Sequence, residues 1–579
     1  MAEAIISPGV FITENDLTQI PQGPIEVGSS LLGPTVIGKV NVPTVVTSYA
    51  EYKQLFGSTF ISGGAILEYL TSIAAMNYFE QGGASLLVTR IASASTDVWS
   101  SATASVGAFT SGETSFMLQT LGQGRIMNNT GGTVTNNGVL PSGSSVNIRW
   151  EINQVDTASG QFTLLIRRGD DYSNNKTVLE TWSNLSLDPN QNNYVAYVIG
   201  DQKETVATDS SGEYYIQYSG SYQNKSKYVR VSGVSNTPGY LNSFGQAQSQ
   251  FTGSMPRLGS GSLHGAFGGA AGSMIPADGP LKMFQDISAT GNIQGVAPSD
   301  YNVAIGLLEN KDAYAFNSIY APGLNNLNAA AQISNLVLLS QERGDNIAVV
   351  DMVGYGSSID SVVAEARKLD SSYAATYWPW VQVRSMETGK LHFVPASTVV
   401  PAAFEYNDRI SAEWFAPAGF NRGGVPSVVQ PERRISINDR NNLYIGKVNP
   451  IATFPGVGTV IYGQKTLQAQ PSALDRVNVR RLLIALKRFI GGVGDSLVFE
   501  PNVQATRTKF LSQVNPFLEY VQQRQGLYAF QVVMDETNNT PDTIDRNQLI
   551  GSIYLQPTRV AEFILLDFNI LPTGVTFGQ

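Results

Sequence analysis

The sequence has no cysteine and only two histidines in 579 residues. Without thiols there are no disulfides and no thiolate metal sites, and the redox compartment leaves no mark. The histidines are His264, in a glycine-rich loop, and His392, in the strand-like "GKLHFVP". A Ser-His-Asp triad would have to use one of them. Asp351 closes the apolar run "NIAVVDMVG", where acids of α/β sites tend to lie, but no G-x-S-x-G elbow stands nearby. No His-x3-His spacing offers a metal site. A loop histidine, a strand histidine and a helix-capping aspartate are the simpler readings. No catalytic residue, cofactor or metal is expected.

Charge is scarce as well. Asp, Glu, Lys and Arg make up 14 % of the chain, against roughly 25 % in ordinary soluble domains. Lys and Arg number 37 against 46 acids, a formal charge of −9. That balance excludes the basic field that direct nucleic-acid binding needs. No apolar run reaches the roughly 20 residues of a membrane span, so no membrane insertion is expected. The opening "MAEAIISPGVFITEND" lacks a basic segment and an apolar core, so no signal peptide is expected either. The expectation is a soluble protein made and assembled in a cytoplasm. A surface so poor in charge suits a protein covered by its neighbours.

What is present first misleads. "GPTVIGKV" at 33–40 places Gly33, Gly38 and Lys39 at the spacing of a phosphate-binding loop. Val40 stands where the Mg²⁺-binding hydroxyl belongs, Pro34 removes an N–H, and Thr35, Val36 and Ile37 are stiff at χ1. Pro43 bars an early helix. A buried strand leading into a turn is expected there.

The chain is too long for one core, and its composition changes along it. Residues 31–95 read as α/β. Ile66, Leu67, Leu70, Ile73, Ala74 and Tyr78 recur at helical spacing, and Gly82–Gly83 ends that helix before the strand "SLLVTRIA". Residues 96–299 are Ser-, Thr-, Asn- and Gly-rich with alternating strands, a β-rich block inserted into the first domain. From 300 to 454 the α/β pattern resumes, with "NIAVVDMVG", "SSIDSVVAEARKLD" and "YAATYWPWVQV" forming a βαβ unit and hence a parallel sheet. Residues 455–579 hold one basic amphipathic helix, more helix around "TKFLSQVNPFLEYVQQR" and strands to the end, an α+β domain.

From residue 33 the chain continues "GPTVIGKVNVPTVVTSYAEYKQLFG" and then "YLTSIAAMNYFEQGGASLLVTRI". Later come "DSSYAATYWPWVQV", "EWFAPAGFNRGGV", "NNLYIGKVNPIATFPGVGTVIYGQKTL" and "VVMDETNNTPDTIDRNQLIGSIYLQPTRVAEFILLDF". These segments, in this order, resemble the contractile tail sheath proteins, with Tyr462 and Lys465 where the family pattern has Trp and Arg. Residues 96–299 match nothing in that pattern.

The resemblance implies a multidomain α/β and α+β chain with a subtilisin-like parallel-sheet middle domain that serves structurally. It implies a viral tail subunit, located in the virion tail, that forms a helical sheath of stacked hexameric rings. Its partners would be further copies, an inner tail tube, a baseplate and a tail terminator. Contraction would drive the tube through the host envelope for genome ejection. The sheath of a phage-derived injection device is the alternative, and a subtilisin-like hydrolase a more distant one.

Two features suit that role. Val10, Phe11, Ile12 and Thr13 form a short strand after the Pro8–Gly9 break, in an arm, residues 1–30, whose tether "LTQIPQGPIEVGSS" has no apolar periodicity. At the other end Ile564, Leu566, Phe568 and Ile570 line one apolar strand face. By the resemblance these arms add to a neighbour's sheet; the alternative is that they pair within their own subunit. On "RVNVRRLLIALKRFI", Arg476, Arg480 and Lys487 share one flank and Arg481 and Arg488 the adjoining one, with Ile484 between them. Val479, Leu482, Leu483, Leu486, Phe489 and Ile490 lie opposite. The basic side either is solvated or, as the resemblance suggests, faces an acidic inner tube.

Overall fold

The computed structural model describes residues 28–62, 64–93, 99–129, 134, 137–273, 287–288 and 294–562. Its centre is an eight-stranded sheet. The strands are β1 (Ser29–Gly33), β2 (Thr44–Val46), β3 (Leu86–Arg90), β4 (Ser318–Asn325), β5 (Ile347–Asp351), β6 (Ala374–Trp378), β7 (Asn449–Phe454) and β8 (Gly458–Ile461). They lie in the order β2-β3-β1-β4-β5-β6-β7-β8. From β3 to β7 every pairing is parallel; β2 and β8 close the two ends antiparallel. Strands β1, β3, β4, β5 and β6 are buried throughout, as a parallel sheet covered on both faces requires. Sheet and helices thus mix as an α/β fold.

The covering helices include α1 (Leu70–Glu80), α2 (Asn326–Arg343), α3 (Ile359–Ala366), α4 (Val400–Ile410) and α5 (Ile437–Ile445). Ser358 caps α3 by accepting from the Ser361 N–H, which closes the predicted βαβ unit between β5 and β6. The start of α1 differs from expectation. Ile66 and Leu67 belong to a strand, Ala65–Glu68, that pairs antiparallel with Thr59–Ser62. The reason is local pairing together with Glu68, buried where it accepts from Ser385 Oγ at 2.5 Å and Ser72 Oγ at 3.0 Å.

The phosphate-loop spacing dissolves in the same region. Gly33 ends β1, Gly38 adopts φ +117°, and Lys39 ion-pairs with Glu204 at 2.7 Å. The next elements are a turn and β2, with no helix to receive phosphate.

Between β3 and β4 lie two three-stranded antiparallel sheets and a two-stranded one, built from residues 101–234. Arg167, in the "RRGDD" stretch, binds Asp171 through Nε at 2.7 Å and Glu151 through Nη1 at 2.6 Å, so this stretch is a turn pinned by its buried first and last residues. At the far edge of the main sheet, β8 lies beyond residue 454, where the sequence reading ends the α/β core. Gly456 and Gly458, at φ +78° and +95°, return the chain into a hairpin that composition does not reveal.

After the sheet come α6 (Val477–Asp495), α7 (Gln504–Gln523) and a separate antiparallel pair, β9 (Leu527–Val533) with β10 (Ser552–Pro557). Among the described residues, no helix is long and apolar enough to cross a membrane.

Candidate assembly site

The basic helix α6 lies between two cores. Val477 and Ile484 join the cluster around Phe404 and Val400 beneath the sheet. Leu482, Leu486 and Val493 join a second cluster with Phe510, Val514, Leu518 and Val521 of α7. Both sides of its N-terminal half are therefore covered by its own chain.

This overturns part of the basic-face expectation. Arg480 and Arg481 are each only 4 % exposed, neither solvated nor available to a tube. Arg481 donates from Nη1 and Nη2 to both oxygens of Asp408 on α4, the Nη1 bond measuring 2.9 Å, and lies over the Phe404 ring. Burial works against its charge, but Asp408 more than offsets that and raises its pKa. Arg480 stacks on Tyr373, 3.9 Å from the ring centroid, and donates to Ser372 Oγ at 2.5 Å. The sign of this was in the sequence: Ile484, set between the arginines, marks an apolar stripe on the basic side. Lys487 is exposed and donates to Tyr373 Oη, and Arg488 pairs with Glu413 at 3.6 Å.

Arg476 is spent differently. Its Nε and Nη2 donate to Glu562 at 2.6 and 2.9 Å. Tyr444 Oη and Gln464 Nε2 donate to the same carboxylate at 2.5 and 3.3 Å. Burial alone would raise the Glu562 pKa, but these donors, Arg476 foremost, hold it below the usual range. Sequence reading missed Glu562; its one signal was an acid inside the apolar run "VAEFILL". Three side chains, through four hydrogen bonds, converge on the last described residue, so the chain is clamped where its terminal segment begins. Glu562→Gln is expected to cost about 1–2 kcal/mol of urea-measured stability, and to speed proteolysis after residue 562 several-fold. Unchanged cleavage would show that the clamp does not hold that segment.

The β9–β10 pair has the form of an acceptor. Phe530, Val532, Ile553 and Leu555 pack against the α6–α7 cluster, while Tyr528 and Tyr554 of the outer face are exposed. Among the described residues no third strand pairs with either partner, so both outer edges carry unpaired backbone groups. A lone two-stranded sheet is marginal in water; here its inner face is held by the helices. Val10–Thr13 and Ile564, Leu566, Phe568 and Ile570 lie outside the described residues.

Asp351 ends β5 as expected, but its surroundings are structural. Ser397 donates to it through Oγ at 2.5 Å and through its backbone N–H at 3.2 Å. The hydroxyl meets the acid directly, with no imidazole between them, unlike a triad. His264 sits in its loop at φ +54°, and His392 lies on a strand, Leu391–Val394. Burial pushes the Asp351 pKa from 3.8 up to about 7 despite the Ser397 bonds. A carboxyl with a raised folded pKa holds a proton that the unfolded chain has lost. Its contribution is thus complete below about pH 4 and lost as the pH rises through about 7. Asp351→Asn should flatten the fall of Tm between pH 5 and 8; an unchanged slope would refute the assignment.

The class defined here is a mixed α/β chain whose candidate functional elements are helix junctions and open strand edges. Residues 294–467 match the phage tail sheath protein central domain, and residues 469–570 the phage tail sheath C-terminal domain. Over 236 residues the chain is 34 % identical to the tail sheath protein of Vibrio phage KVP40, covering 40 % of this chain and 35 % of that protein. Over 232 residues it is 33 % identical to the tail sheath protein of Enterobacteria phage T4, with the same coverage of 40 % and 35 %. The matched stretch thus spans about a third of these curated relatives, 35 % of each. The crystal structure of a sheath tail protein from Listeria innocua shares the fold, with a TM-score of 0.52 at 10 % identity over 92 % of this chain and 95 % of that one. Over residues 294–467 and 469–570 the chain thus carries two segments that match the central and C-terminal domains of phage tail sheath proteins.

Proposed function

We propose that this chain is the repeating structural subunit of a contractile tail sheath. Copies polymerise helically around an inner tail tube, in stacked hexameric rings between baseplate and terminator. Contraction then drives the tube through the host envelope for genome ejection. The observation that carries this reading is the β9–β10 pair, two open edges held rigid on the family's C-terminal domain. Each edge suits one added strand, and the chain offers two: Val10–Thr13 and the strand of Ile564, Leu566, Phe568 and Ile570. Exchange between copies is heterologous, so it propagates into a helix instead of closing on itself. Strand links on tethers let subunits slide while staying joined.

The proposed division is an arm ahead of β1, a subtilisin-like core that runs to residue 95 and from 300 through β8, an outer insert at 96–299, and a C-terminal domain after β8. The tube-facing role falls to the exposed end of α6, around Lys487, since Arg480 and Arg481 are buried. Weak ion pairs there, each about 0–1 kcal/mol, let the sheath hold the tube and release it. The energy would reside in a metastable extended polymer trapped by its barrier. The subunit would be assembled in the host cytoplasm and carried in the virion tail. The sheath of a phage-derived injection device is the second reading; the extensive insert favours a phage.

Negative-stain microscopy of the purified chain with and without residues 1–20 tests this reading. Tubular polymers that vanish on truncation are expected. Tubes that survive it would remove the N-terminal arm from the assembly, and discrete particles from the full chain mixed with its tube would count against a sheath.

A further inference from the structure

Beside the Glu562 clamp lies an exposed aromatic strip. Phe420, Phe454 and Tyr462 contact one another edge-on or tilted, with centroids 5.0, 5.8 and 4.9 Å apart. Phe420 and Tyr462 are 53 % and 44 % exposed, and Val457, in the β7–β8 turn, is 47 % exposed. The Arg440 guanidinium lies over Phe454 and Tyr462, at 5.0 and 5.6 Å from their centroids. Among the described residues no carboxylate pairs with it. Two exposed rings clustered on a half-buried third, under a cation, are costly unless something covers them.

We propose that in the unassembled subunit residues 563–570 of the same chain cover this strip, sheltering the apolar arm strand until a neighbour's sheet edge takes it. The inference rests on the arm reading above. Place is the first argument. Glu562 is held by Tyr444, one turn from Arg440 on α5, and by Gln464, two residues from Tyr462. The terminal segment therefore starts at the margin of the strip. Reach is the second: eight extended residues span about 26–29 Å, ample for three adjoining rings. Chemistry is the third. "FILLDFNI" is apolar apart from Asn569 and one charge, Asp567, and that carboxylate complements Arg440. Tethering is the fourth, since a short link raises the effective concentration to about millimolar, above that of a second free copy.

The absence of native cysteine makes the test clean. Two double variants, Arg440→Cys with Asp567→Cys and Tyr462→Cys with Phe568→Cys, are treated with a short bismaleimide at micromolar protein. An intrachain link, seen as a faster-migrating monomer on denaturing gels, is expected in at least one pair. Interchain dimers alone, or no link in either pair, would overturn the proposal. In the otherwise intact chain, Phe420→Ser with Tyr462→Ser should speed chymotryptic cleavage within 563–570 about tenfold; both side chains are exposed, so the fold is retained. Unchanged cleavage would also overturn it. Truncation after Glu562 tests the arm reading separately. If tubes survive truncation while the link still forms, the docking stands and strand donation falls.

Discussion

Arg481→Ala is expected to destabilise the protein by about 3–5 kcal/mol, the cost of leaving a buried partner charge uncompensated. Asp408 would keep a partly buried carboxylate without its two guanidinium bonds. Glu405, one turn away on α4, makes this worse. Its pKa is pushed up to about 8, by burial first and by Asp408 next, while Arg481 pulls it down. A raised folded pKa means that the folded state holds the proton, so stability is complete below about pH 4.5 and falls as the pH rises through about 8. Without Arg481 that fall steepens, because the carboxylates then repel with nothing between them. The deficit of the variant should therefore be largest at pH 8 and shrink toward pH 5. Urea unfolding at both values measures it. Arg481→Lys keeps the charge but loses the fork, and should fall between. A deficit under about 1 kcal/mol at pH 8, the level of an exposed pair, would mean that the α4–α6 junction does not depend on this pair.

Leu518→Ala is the second large effect, with an expected cost of about 2–5 kcal/mol for a fully buried leucine. Leu518, Val514 and Val521 are each 0 % exposed and face Leu482 and Leu486 across the α6–α7 contact. This cluster is distinct from the two that flank the parallel sheet. The loss should therefore concentrate in α7 and the β9–β10 pair, whose inner face rests on it. Hydrogen exchange should rise in residues 504–557 while β4, β5 and β6 stay protected. Uniform loss of protection would show instead that the C-terminal unit and the sheet unfold as one. The proposed polymer should suffer as well, because the β9–β10 edges are only as rigid as the helices beneath them.

The contrast between α6 and the sheet shows what could be read in advance. "NIAVVDMVG" and "YAATYW" are unbroken apolar runs, and a strand buried on both faces demands such composition. The helix between them announces itself by Ser358 and by apolar spacing. These signals are local, so they were legible. The apolar side of α6 was legible for the same reason, and Leu482 and Leu486 bury as their spacing requires. Its basic side was not. Charge on a helix flank is compatible with water or with buried partners, and Asp408, Phe404 and Ser372 lie 73–108 residues away. Nothing local reports such partners, except Ile484.

The kind of molecule was legible in the residues alone. Missing cysteines and scarce charge narrowed the chemistry, and ordered segments over the second half resembled one structural family. The residues also set most strands and helices, because burial periodicity is a property of neighbouring residues. Which surfaces are buried and which are exposed came from the fold. It buried Arg480 and Arg481, clamped Glu562 under Arg476 and Tyr444, left the β9–β10 edges unpaired among the described residues, and exposed the rings of Phe420 and Tyr462. Each of these depends on contacts between residues far apart in the chain, and pairing energy at that range is set by where the fold places the partners.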